Sequence, residues 1–171
     1  VLHEEWTLEE ARQLLGRLLG LSDAYKQLAS KLEEAYAAVV AALDEDSGEV
    51  LFFTARTLIF GETAAVYGFN RTARLLEKIA VRLANLVCSN YFDDYAQLEA
   101  GALPTSADDC MKELFKLLGF RLAETEPKDK PFAAVFDPLG ARVDLTDSQK
   151  GVVRIAPKPS RVESVVAEVP G

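Results

Sequence analysis

The sequence predicts an α+β fold, an antiparallel sheet with helices packed on one face. Two strand–turn–strand patterns and a long amphipathic helix between them predict it. Hydrophobic residues form 49% of the 171, enough to bury a core in a chain of about one domain's length.

Residues 7–19 read as a helix. Thr7 can cap it, with Glu10 three residues on, and Leu8, Ala11, Leu14, Leu15, Leu18 and Leu19 form one apolar face. Gly20 interrupts this periodicity and residues 23–30 resume it. Residues 35–43 are open between helix, which the alanines favour, and strand, which Val39 and Val40 favour. Asp44-Glu45-Asp46-Ser47-Gly48 is a turn signal. Val50-Leu51-Phe52-Phe53-Thr54 after it is a strand, so a hairpin across 37–55 is the preferred reading. Residues 62–86 carry the longest helical pattern, with Val66, Phe69, Ala73, Leu76, Ile79, Ala80, Leu83 and Leu86 on one side.

Residues 87–98 then read as strand, tight turn, strand, with Asp93-Asp94 at the turn. Residues 106–118 form a helix that Ser106 can cap; Met111, Leu114, Phe115 and Leu118 make its face and Gly119 stops it. Residues 128–130 are a charged loop. Residues 132–136 and 141–145 are strands around Pro138-Leu139-Gly140, and 152–155 is another. Pro157 and Pro159 open a linker, followed by alternating charged and aliphatic residues over 162–169.

The net charge of −8 argues against a free-standing nucleic-acid binder, because phosphates reward Lys and Arg. Such a role would need a local basic surface. Arg71, Arg74, Lys78 and Arg82, spaced three, four and four apart, share one helix face. They are either a track for template phosphates or a solvated face paired with Glu77 and Glu62. Cys88 and Cys110 make neither a disulfide framework nor a metal quartet, which fits a reducing compartment. The single histidine, His3, leaves His-ligated zinc and a Ser-His-Asp triad without support. Residues 35–43 and 79–88 are too short to span a bilayer, and no signal peptide is visible. The expected location is therefore intracellular, cytoplasmic or nuclear. The Asn70-Arg71-Thr72 sequon falls inside a predicted helix and is discounted.

Four segments, in order, resemble reverse transcriptases, in particular those of retrotransposon polyproteins. Leu21-Ser22-Asp23-Ala24-Tyr25-Lys26-Gln27-Leu28 is similar to the first palm motif. Leu58-Ile59-Phe60-Gly61 with Val66-Tyr67-Gly68-Phe69-Asn70-Arg71 resembles the Leu-Pro-Phe-Gly stretch and its helix. Tyr91-Phe92-Asp93-Asp94 matches the aromatic-X-Asp-Asp turn. Leu117-Leu118-Gly119-Phe120, Lys130-Pro131-Phe132 and Leu139-Gly140 resemble the run into the hairpin that grips the primer end. The resemblance covers roughly residues 15–160 and implies a polymerase palm: a layout of N-terminal helix (1–19), palm (20–145) and start of a thumb or linker (146–171).

The activity implied is RNA-directed DNA polymerisation, a nucleotidyl transfer to a primer 3′-hydroxyl. Its implied partners are an RNA or DNA template–primer, dNTP and further polyprotein segments, with no membrane. Two Mg²⁺ (or Mn²⁺) ions about 3.5–4 Å apart activate the attacking oxygen and stabilise the leaving one, and hard cations take carboxylate oxygens. Asp93 and Asp94 on a tight turn would place two carboxylates at one sheet edge; a solvated turn that merely favours Asp is the bland alternative.

The family's first motif has a further metal-binding Asp directly before Leu21. Here that position is Gly20, so the resemblance implies an impaired polymerase or a non-catalytic scaffold of the same fold. It also implies that Asp23 and Ala24 serve the triphosphate through backbone, and that Tyr25 blocks a ribose 2′-hydroxyl. Packing on Leu21 and Leu28 explains Tyr25 equally well. Ile59 replaces the family's Pro; Gly61 keeps backbone freedom near an incoming nucleotide, or merely starts a helix. Lys128 or Lys130 could reach a triphosphate, or simply be solvated. Leu139 and Gly140 are the primer-grip positions.

Overall fold

A computed structural model describes residues 12–124 and 129–168. In chain order its elements are β1 (Leu14–Gly20), β2 (Val39–Leu43), β3 (Val50–Thr54), α1 (Thr63–Leu83), β4 (Val87–Tyr91), β5 (Asp94–Ala100), α2 (Pro104–Leu117), β6 (Val135–Phe136), β7 (Ala141–Asp144), β8 (Arg154–Pro157) and α3 (Pro159–Glu168). The α+β fold class expected from the sequence is present, with antiparallel sheets. The chain forms two compact units, Val1–Ser22 with Leu75–Gly171, and Asp23–Arg74.

The first unit is built on a sheet of order β1-β5-β4. Leu14 to Gly20 pairs residue for residue with Ala100 to Asp94. This corrects the helix expected over 7–19. Residues 7–11 lie outside the described residues, and 14–20 is a strand. The Leu pairs at 14–15 and 18–19 suit either period. Two facts decide for the strand. Gly16 and Gly20 would each cost a helix about 1 kcal/mol. In addition, a β-carbon on Gly16 would lie 2.1 Å from the Phe136 ring, so this strand needs glycine where β6 crosses it. Beyond β1, single bridges from Gly16 to Ala133, Leu19 to Asp129 and Leu21 to Leu122 cover its other edge.

Alternation along the strands sends Arg17, Leu19, Tyr95 and Gln97 to one face, and all four are buried. α2 covers this face: Phe115 meets Tyr95 edge-on, centroids 5.0 Å apart, and Ala107 and Met111 are buried beside it in sequence. The helix begins at Pro104, with Leu103 as N-cap. Ser106, the expected cap, lies inside the first turn, because proline's missing N–H and fixed φ suit the first helical position. At the other end Gly119 has φ +81°. Its N–H donates to Lys116 C=O, and Phe120 N–H donates to Phe115 C=O, the paired bonds of a Schellman stop.

A second sheet, β6-β7-β8, is entered through a turn in which Leu139 and Gly140 both have positive φ and Ala141 N–H donates to Pro138 C=O at 2.9 Å. That is a type I′ hairpin turn. The strand expected over 132–136 shortens to Val135–Phe136, because Ala133 is drawn into bridging Gly16. The strand expected at 152–155 shifts to Arg154–Pro157. The linker expected after Pro157 is instead helix α3, with Pro159 as its first residue. Its aliphatic residues read as alternating only while the helical period is ignored.

In the second unit, the spacing at 23–30 yields only a 3-10 turn, Ala24–Gln27. The hairpin across 37–55 forms as β2 and β3, paired from Val39–Thr54 to Leu43–Val50. Asp44 closes its loop, accepting from Ser47 Oγ at 2.7 Å. Tyr25 stacks on Phe69, centroids 4.5 Å apart, and meets Phe60 edge-on. Among the described residues no helix is long and apolar enough to cross a membrane.

Candidate active-site edge

Tyr91 pairs with Asp94 across β4 and β5, leaving Phe92 and Asp93 as the turn between them. Phe92 has φ +53°, a left-handed conformation that bulky residues rarely adopt and that persists only where the surroundings hold it. Its ring meets Tyr91 edge-on at 4.8 Å. Asn90 Nδ2 donates to Phe92 C=O at 3.4 Å.

The end of β1 closes on this turn. Gly20 is the direct partner of Asp94, and Leu21 N–H donates to Asp93 C=O at 2.9 Å. By strand alternation Asp94 and Gly20 belong to the face opposite Tyr95 and Gln97, the face α2 does not cover. Position 20, which the resemblance marks for a third carboxylate, thus stands beside Asp94 and carries no side chain.

The buried face beneath is polar as well as apolar. Arg17 Nε and Nη2 both donate to Gln97 Oε1, at 3.0 and 2.9 Å, and Nη1 donates to Asp108. The guanidinium also lies 4.6 Å from the Phe132 ring centroid. Gln97 Nε2 donates onward to Ala107 C=O. Burial pushes the Asp108 carboxyl up, but hydrogen bonds from Arg17 and Lys112 outweigh it and hold the group below its ordinary value. Burial and the charge of Glu77 push the Cys88 thiol up to about 11. Burial, then Cys88, Glu77 and Asp93, push the Tyr95 hydroxyl above its ordinary value. The sequence reading missed Arg17, Gln97 and Asp108; the signal was an Arg and a Gln each in the middle of an apolar strand run.

The other expected site residues are distributed as follows. Asp23 caps the 3-10 turn in a left-handed conformation, with its carboxylate 3.4 Å from Lys26 Nζ. Ala24 and Tyr25 are buried. The Tyr25 ring lies against Phe60 and Phe69. Gly61 has φ +101°, a backbone conformation open to glycine. Lys128 lies outside the described residues and Lys130 is exposed. Leu139 is half-exposed, and Gly140 sits against Arg161 of α3. Arg71, Arg74, Lys78 and Arg82 are all exposed on α1.

A cavity of about 660 Å³ lies elsewhere, lined by Ser22, Lys112, Lys116, Phe120, Arg121 and Asp129 among others. Its charges are mixed, and it includes neither Asp93 nor Asp94. Among the described residues no group of three or more His, Cys, Asp or Glu could hold a metal ion. At this edge stand Asp93 and Asp94, while Gly20 adds no carboxylate. No known protein family matches the chain, and no curated protein matches it.

Proposed function

We propose that this chain is a reverse-transcriptase-like palm fragment, related to RNA-directed DNA polymerases, in which nucleotide incorporation is impaired because Gly20 replaces a catalytic carboxylate. The observation that carries this reading is the pairing of Gly20 with Asp94. Two motifs far apart in the sequence, matched to the family separately, meet at the one edge where the resemblance requires them to meet. The strained turn at Phe92 and the type I′ turn at Leu139-Gly140 add support. In the same reading template–primer lies over the sheet face that bears Asp94.

Mg²⁺ or Mn²⁺ would serve this chemistry by charge stabilisation, and losing one preorganised charge partner costs on the order of a hundredfold in rate. Gly20 also favours the second reading, a non-catalytic scaffold of the same fold. Primer extension with Mg²⁺ and dNTPs separates the two. Extension restored by Gly20→Asp, and not by the neutral Gly20→Asn, supports an impaired polymerase. Robust extension by the native chain contradicts the proposal. Extension by neither variant supports the scaffold.

A further inference from the structure

α1 separates its surfaces sharply. Ala65, Phe69, Ala73, Leu76 and Ala80 are buried and recur at helical spacing. On the opposite side stand Arg71, Arg74, Lys78 and Arg82, with Tyr67 one turn before the first of them and 69% exposed. The only acid in the helix is Glu77. It sits off this face, half-buried, and its charge acts on Cys88 and Tyr95. The expected pairing of the four cations with Glu77 or Glu62 is absent. Among the described residues none of them forms an ion pair. In a chain of net charge −8, this face is a local run of four cations with no carboxylate among them.

We infer that the outer face of α1 is a nucleic-acid-binding strip that uses none of the residues of the Asp93–Asp94 edge. From Arg71 to Arg82 the helix rises about 16 Å. Along that length four cations come at intervals of one turn, suited to successive phosphates of one strand, and Tyr67 offers a ring on which a base can stack. An acidic peptide would satisfy the charges but has no use for the exposed ring. A nucleic acid uses both. The strip holds whether or not the sheet edge is catalytic, and lets an impaired palm still carry nucleic acid.

The test is fluorescence anisotropy of a labelled single-stranded oligonucleotide on the full chain over a NaCl series. Each phosphate contact on a single strand contributes about −0.7 to the slope of log affinity against log salt. The double variant R74E/K78E is expected to lose tenfold or more in affinity at low salt and to flatten the slope by about 1.4. Y67A should weaken binding without changing the slope. Both altered cations are exposed, and circular dichroism with the milder R74Q/K78Q checks that the fold persists. Unchanged binding by R74E/K78E overturns the strip. So does polyglutamate competing as well as the oligonucleotide, which would mark a surface for acidic protein. Binding lost only in D93N/D94N also overturns it, while leaving the palm proposal standing.

Discussion

The molecule contains two antiparallel hairpins that the sequence signals with equal clarity, and they have different fates. β4–β5 gains a third strand, β1, along its whole length, and its inner face is buried under α2. β2–β3 stays two-stranded, and all ten of its residues are exposed, Phe52 to 72%. Isolated two-stranded hairpins are marginal in water. The difference shows that a hairpin's local sequence decides that it forms, whereas partners from distant segments decide whether its shape is held. A strained turn such as Tyr91-Phe92-Asp93-Asp94 belongs on the held one.

If that comparison is right, disturbing the buried face of the β1-β5-β4 sheet should do the most damage. Arg17→Ala removes a 1%-exposed side chain, strands Gln97 Oε1 and takes a cation from Asp108. Urea unfolding should show a loss of about 3 kcal/mol. A loss below about 0.5 kcal/mol would mean that the network is decoration.

A smaller effect should appear with pH. The Asp108 carboxyl is held below its ordinary value in the folded chain. Its contribution is therefore present above the unfolded value, near 4, and disappears as pH falls through the folded value. Stability of the native chain should drop over that window more than that of Asp108→Asn. Parallel pH curves for the two would break the assignment.

The smallest effect belongs to β2–β3. Phe52→Ser with Phe53→Ser should change stability by no more than about 0.5 kcal/mol, while reducing dye binding to exposed apolar surface. A large loss of stability would show that these side chains are covered, and the contrast between the hairpins would fail.

The elements legible in the sequence were those with a local signature. The Asp44–Gly48 turn, the apolar stripe of α1, the Asp-Asp hairpin and the Leu139-Gly140 turn each rest on residues within one turn or one helix. β1 was not legible, since Leu14, Leu15, Leu18 and Leu19 obey both periods and the strand exists through its ladder to β5. α3 was misread because two prolines suggested a linker, although proline is welcome at a helix start. At the candidate site, Asp93 and Asp94 could be named from their spacing. That Gly20 would be the partner of Asp94 follows from a register between segments some 70 positions apart, which no local pattern encodes. The Arg17–Gln97–Asp108 network was hidden for the same reason.

The central claim is that the sheet edge at Asp93 and Asp94 is one carboxylate short. Titrating Mn²⁺ into the native chain, Gly20→Asp and Gly20→Asn by isothermal calorimetry or paramagnetic resonance tests it directly. The claim predicts weak binding by the native chain, tightened by roughly tenfold or more in Gly20→Asp, since ligand charge count sets affinity for hard cations. Gly20→Asn should stay near the native level, and adding Asp94→Asn to Gly20→Asp should abolish the gain. Tight binding of two ions by the native chain, or no gain from Gly20→Asp in a folded protein, would contradict it.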